Sequence, residues 1–136
     1  MKTTFLNGTK ELKARGKEYF NSRKEDFIRF MNSDDLENSF DDIGNFYDYG
    51  LCIDYQKPEG RKRGYLRYQL SWGGPSDEIR FYFDGHNCDK IEYVFLDWFV
   101  GVGFDITEEF FAQWLWDWFD ECGTPEYERE KVIEEY

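Results

Sequence analysis

Hydrophobic positions along the chain change their period twice. Over residues 9–31, Leu12, Gly16, Tyr19, Phe20, Phe27, Phe30 and Met31 recur at helical spacing, which predicts a helix with one buried stripe. Thr9 stands where a cap belongs, and Ser22-Arg23-Lys24-Glu25 has the form of a capping box. The pattern therefore fits one long helix or two that meet near Asn21. Residues 33–50 follow with Ser33 and Ser39 as candidate caps and Gly44 and Gly50 as breaks, the signature of one or two short helical turns.

The period then drops to two. Leu51, Ile53 and Tyr55 alternate with polar neighbours, as do Leu66, Tyr68, Leu70 and Trp72, and then Ile79, Phe81 and Phe83. "IEYVFLDWFV" is apolar on both faces, as a central strand is. These runs predict strands over 51–56, 64–72, 78–84 and 90–99. The connectors "KPEGRKRG", "GGPSD" and "DGHNCD" are too short for parallel crossovers, so the strands form an antiparallel meander. The "GVGFD" run at 101–105 reads as a turn. Helical spacing returns behind Thr107, predicting helices over 107–122 and 125–134, with Gly123 as a stop and Pro125 in a first helical turn. The expected architecture is a single α+β domain over residues 1–136: a four-stranded antiparallel sheet with N-terminal and C-terminal helices packed against it.

Composition adds an excess of rings. The chain carries 14 Phe, 10 Tyr and 5 Trp. Each large ring buries roughly 150–250 Å², more than so small a core absorbs in full, so some rings are expected at the surface. The aromatic density of "LRYQLSWGGPSDEIRFYFDG" is accounted for mainly by cross-strand pairs in the core, with Trp72 and its Gly-Gly-Pro corner as a candidate contact surface.

Charge narrows the function. The net charge is −12, which opposes direct nucleic-acid binding and anionic membranes and favours basic partners. The acids are unevenly placed. Residues 34–54 hold seven acids and no base, and residues 105–136 hold eleven acids and two bases, whereas residues 1–30 hold eight bases and four acids. The predicted partner-binding residues are Asp34, Asp35, Glu37, Asp41, Asp42 and Asp48 from the first segment, Asp117, Asp120, Glu121, Glu126 and Glu128 from the second, and Trp72. A flank of carboxylates can imitate duplex DNA, which presents about one charge per 1.7 Å of axis.

Other chemistry finds little support. His86, the only histidine, lies two residues from Cys88 with no third group to orient a nucleophile pair. Cys52, Cys88 and Cys122 have neither metal-site spacing nor an even count, so no metal, disulfide or cofactor is expected. "GVGFD" lacks the lysine and hydroxyl of a phosphate loop. "EGRKRG" at 59–64 reads as a solvated basic hairpin tip. No leader pattern or membrane-length apolar run is present, which points to a cytoplasmic protein of a bacterial host cell.

At "YLRYQLSWGGPSDEIRFYFDG" and "IEYVFLDWF", within residues 65–99, the chain resembles small proteins of phages, prophages and conjugative elements. In size and acidity it resembles the anti-CRISPR and antirestriction proteins those elements carry. The resemblance implies an inhibitor that binds a CRISPR effector or another DNA-binding defence protein and blocks its nucleic-acid site. The basic N-terminal helix departs from an all-acidic mimic. Two alternatives remain: an immunity protein neutralising a basic nuclease toxin, and a small enzyme using carboxylates.

Overall fold

The computed structural model describes residues 1–133. Among these, six strands form one sheet: β1 (Lys2–Asn7), β2 (Cys52–Gln56), β3 (Tyr65–Ser71), β4 (Ser76–Asp84), β5 (Asn87–Asp97) and β6 (Val100–Asp105). Their spatial order is β1-β6-β5-β4-β3-β2, with every neighbouring pair antiparallel. Four helices complete the described chain: α1 (Lys10–Met31), α2 (Phe46–Tyr49), α3 (Phe110–Glu121) and α4 (Thr124–Ile133).

The α+β class stands, but the four-stranded sheet is corrected to six strands. "VGVGFD" is not a turn. It is β6, paired with β5 from Glu92↔Asp105 to Asp97↔Val100. β1 then adds to the free edge of β6. Two glycines give β6 little strand propensity, yet their missing side chains make the pairing possible: a Cβ on Gly103 would lie 2.5 Å from the Phe5 ring. Tertiary approach overrides local preference here.

The helices also shift. α1 runs unbroken through Ser22, with Thr9 accepting a hydrogen bond from the Leu12 amide. Leu12, Gly16, Phe20, Phe27 and Phe30 are its buried face, and that continuous stripe outweighs the internal capping signal. Ser33 does not start a helix; its hydroxyl donates to the Phe30 carbonyl at the end of α1. The short α2 is capped instead by Asn45, whose side chain accepts from the Asp48 amide. Thr107 does not cap α3, which begins at Phe110. Thr107 is used by the sheet, where its Oγ accepts from the Ile91 amide. Residue 134 of the expected last helix lies outside the described residues.

One face of the sheet is covered by the helices. Leu66, Tyr68, Ile79, Phe81, Tyr93, Phe95, Val102 and Phe104 line it and are buried. The helix rings interleave with them: Phe20 meets Tyr93 at 5.3 Å and Phe119 meets Phe81 at 5.9 Å between centroids, while Phe27 of α1 stacks on Phe111 of α3 at 5.6 Å. Tilted and edge-on ring pairs of this kind add to area burial.

Candidate functional site

The acidic segment between α1 and β2 is held against α3 by aromatic side chains. Phe46 packs on Trp114 at 5.1 Å and on Trp118 at 5.6 Å, and Tyr47 lies 5.9 Å from Trp118. Trp114 and Trp118 form an i, i+4 stripe on α3, and Asp117 and Glu121, three residues after each, flank that stripe. The structure thus sets Asp48 on α2, which packs against the Trp114 and Trp118 stripe of α3, while Asp34, Asp35, Glu37 and Asp41 lie in the loop that Phe40 ties to Phe30 of α1, and Asp117 and Glu121 lie on α3. All seven are exposed. Among the described residues no Lys or Arg lies within ion-pair distance of any of them. Asp35 accepts a hydrogen bond from the Glu37 amide, which shapes the loop.

The remaining predicted residues are engaged elsewhere. Asp42 accepts two hydrogen bonds from Arg29, at 2.7 and 2.9 Å. These bonds hold its carboxyl below the usual range. Asp120, a neighbour of Asp117 three residues on along α3, lies 2.8 Å from His86 Nδ1, and Asp117 lines the hollow beside that histidine. The Asp120 contact raises the histidine pKa, through the hydrogen bond first and the charge second. Glu126 and Glu128 on α4 are near Arg129 at 3.9 Å and Lys131 at 3.4 Å. Trp72 is 64% exposed. It lies beyond the end of β3, away from the α3 carboxylates, so the ring and these acids form two surfaces.

Several groups with the chemistry of catalytic residues are engaged within the fold. Asp77 is buried between α1 and the sheet. It accepts from Arg23 Nε at 2.8 Å and Nη2 at 2.9 Å, from the Tyr93 hydroxyl at 2.7 Å and from Ser71. Burial alone would lower the Arg23 pKa, but the hydrogen bonds and charge of Asp77 outweigh it and raise the value. Two parallel hydrogen bonds from one guanidinium to one carboxyl group fix the geometry of the pair. Burial pushes the Cys88 thiol up to about 12, so it carries no thiolate near neutral pH. Among the described residues no group of His, Cys, Asp and Glu is arranged to hold a metal.

The uncovered face of the sheet bears a groove of about 760 Å³, whose lining includes Phe5, Arg63, Tyr65, Arg80, Tyr82 and Lys90. Its two arginines already have partners. Arg80 bonds Glu78 at 2.8 Å and stacks 4.7 Å over Tyr65, and Arg63 grips Asp89 with two bonds of 2.6 and 2.8 Å. The basic cluster at 59–64 is thus partly neutralised where it meets the sheet.

Comparison with protein-family models, with curated proteins and with solved structures finds no match. No helix of the described residues is long and apolar enough to cross a membrane. Sequence reasoning missed Trp98 and Phe99, which it placed inside a strand over 90–99. They form the β5–β6 turn and are 80% and 94% exposed. The signal was the Val-Gly-Val-Gly-Phe alternation behind them, which has the period of a second strand and requires a turn before it.

Proposed function

We propose that this chain is an acidic binding protein that sets the carboxylate side of its helical layer into the basic nucleic-acid site of a bacterial defence effector, in the manner of the anti-CRISPR and antirestriction proteins it resembles. One observation carries the reading. Seven exposed carboxylates with no Lys or Arg partner among the described residues lie in the α1–α2 loop, on α2 and on α3, and aromatic packing fixes α2 against α3. A packed scaffold keeps such charges in register, so little ordering is required when they meet a partner. The charges would steer encounter with a Lys- and Arg-lined channel and exclude the phosphates that otherwise occupy it.

The test is competition. Purified RNA-guided DNA nucleases and restriction endonucleases are immobilised with and without their nucleic acid, and binding of this protein is measured. The reading expects binding to a free effector and its loss when the nucleic-acid site is filled. A stable ternary complex, or no binding to any effector of the panel, contradicts it.

A further inference from the structure

The helices cover one face of the sheet, and the groove on the other face is built from several elements. Its floor is cross-strand. Tyr65 of β3 and Tyr82 of β4 stand 5.4 Å apart between centroids, and Arg80 of β4 is paired in register with Glu92 of β5. The β2–β3 connection supplies one wall, where Arg63 passes 5.5 Å from the Tyr82 centroid to grip Asp89 on β5. Phe5 of β1, whose ring packs on Gly103, lines the groove from the other side. The volume of about 760 Å³ falls within the roughly 300–1,000 Å³ of small-molecule sites.

The polar groups of this groove do not fully satisfy one another. Glu92 is 4% exposed. It accepts from the Tyr82 hydroxyl at 3.1 Å, but Arg80 Nη1 and Lys90 Nζ stand 4.0 and 3.9 Å from it, beyond hydrogen-bond length. A buried carboxylate held this loosely keeps acceptor positions for a donor from outside. On Arg80 the bond to Glu78 is made by Nε, which leaves N–H groups on the terminal nitrogens, the fork that suits an oxyanion. Lys62 is exposed and has no ion pair among the described residues. Five of the described lining residues are Lys or Arg and two are Glu, the reverse of a chain with 17 bases and 29 acids. The local charge thus attracts an anion. The net charge of −12 repels a long polyanion or an anionic membrane, so the occupant is small.

We propose that this groove on the open face of the sheet binds a nucleoside phosphate. Its phosphate oxygens meet Lys62, Lys90 and the Arg80 fork, its base lies among the rings of Phe5, Tyr65 and Tyr82, and an N–H of the base edge donates to Glu92. A bare phosphate would engage the cations but neither the rings nor the buried carboxylate. The proposal is independent of the inhibitor reading, which concerns the helical layer on the other side of the sheet.

The test titrates the full chain with ATP, GTP, inorganic triphosphate and adenosine, by calorimetry and by amide NMR. At least one nucleotide should bind roughly 10-fold or more tightly than triphosphate or adenosine, since each of these offers only part of the contacts. The amides that shift should be those of the open face, at Tyr65, Arg80, Tyr82 and Glu92. Lys62→Glu combined with Lys90→Met should weaken nucleotide binding by roughly 10-fold or more, with the melting temperature unchanged, because both side chains are partly in solvent. No binding of either nucleotide at millimolar concentration overturns the proposal. So does triphosphate binding as tightly as both nucleotides, which would leave a simple anion site. Shifts confined to the helical face, or unchanged affinity in the double variant, overturn it as well. A short RNA bound more tightly than the mononucleotides would also contradict it and make the groove a nucleic-acid site.

Discussion

Asp77 shows how a single residue can be misread from its neighbours. In "GGPSD" it has the composition of a turn, yet its side chain is fully buried, and its partner Arg23 lies 54 positions away. Only the fold brings them together, so no local pattern announces the pair. Removing one partner strands the other charge in the interior. Asp77→Ala is expected to destabilise the protein by about 3–5 kcal/mol, and Arg23→Met with Asp77→Leu by much less; urea unfolding distinguishes the two. His86 gives a second expectation. Its pKa is raised by Asp120, so the contact stabilises the fold fully below the unfolded value of about 6.5 and loses that effect as pH rises through the folded value. As the only histidine, it has a single NMR titration curve. That curve should lie above the ordinary value in the parent and return toward it in Asp120→Asn. Equal midpoints in the two proteins would refute the contact.

At the level of elements, the strands that bury alternate side chains were legible. Leu66, Tyr68 and Leu70 on β3 and Ile79 and Phe81 on β4 are buried as their period requires. The two strands that escaped lack that signal for physical reasons. β6 has glycines where a strand carries side chains, and β1 leaves Phe5 and Leu6 partly in solvent. Their pairing depends on space rather than propensity. Gly103→Ala should force Phe5 away from β6 and destabilise the protein by about 1 kcal/mol. Hydrogen exchange should then quicken in β1 and stay unchanged in the β3–β4 pair. Uniform quickening, or none, would show that Phe5 does not depend on Gly103.

For the whole molecule, the sequence showed where acids concentrate but not which of them are free. Asp41, Asp42 and Asp48 look alike in the chain and all three are exposed; the fold pairs Asp42 with Arg29 and gives the other two no Lys or Arg partner among the described residues. Likewise Asp120, Glu126 and Glu128 count toward an acidic segment, yet Glu126 and Glu128 lie near Arg129 and Lys131 and Asp120 is within hydrogen-bonding distance of the His86 ring. Net charge says little about a surface until such pairs are removed from it. The aromatic surplus was equally ambiguous, because period alone does not separate a ring on the last core position of a strand from one beyond it, as at Trp72. The central claim is that the carboxylates of the α1–α2 loop, α2 and α3 that have no Lys or Arg partner among the described residues steer this protein into a basic nucleic-acid site. The most direct measurement is the association rate with a purified nucleic-acid-free effector, taken across salt concentrations. Asp41→Lys with Asp48→Lys should slow association by about 10-fold or more at low salt and flatten its salt dependence, since exposed charges act over a Debye length of roughly 8 Å at physiological ionic strength. An association rate that is indifferent to both salt and these reversals would contradict the account.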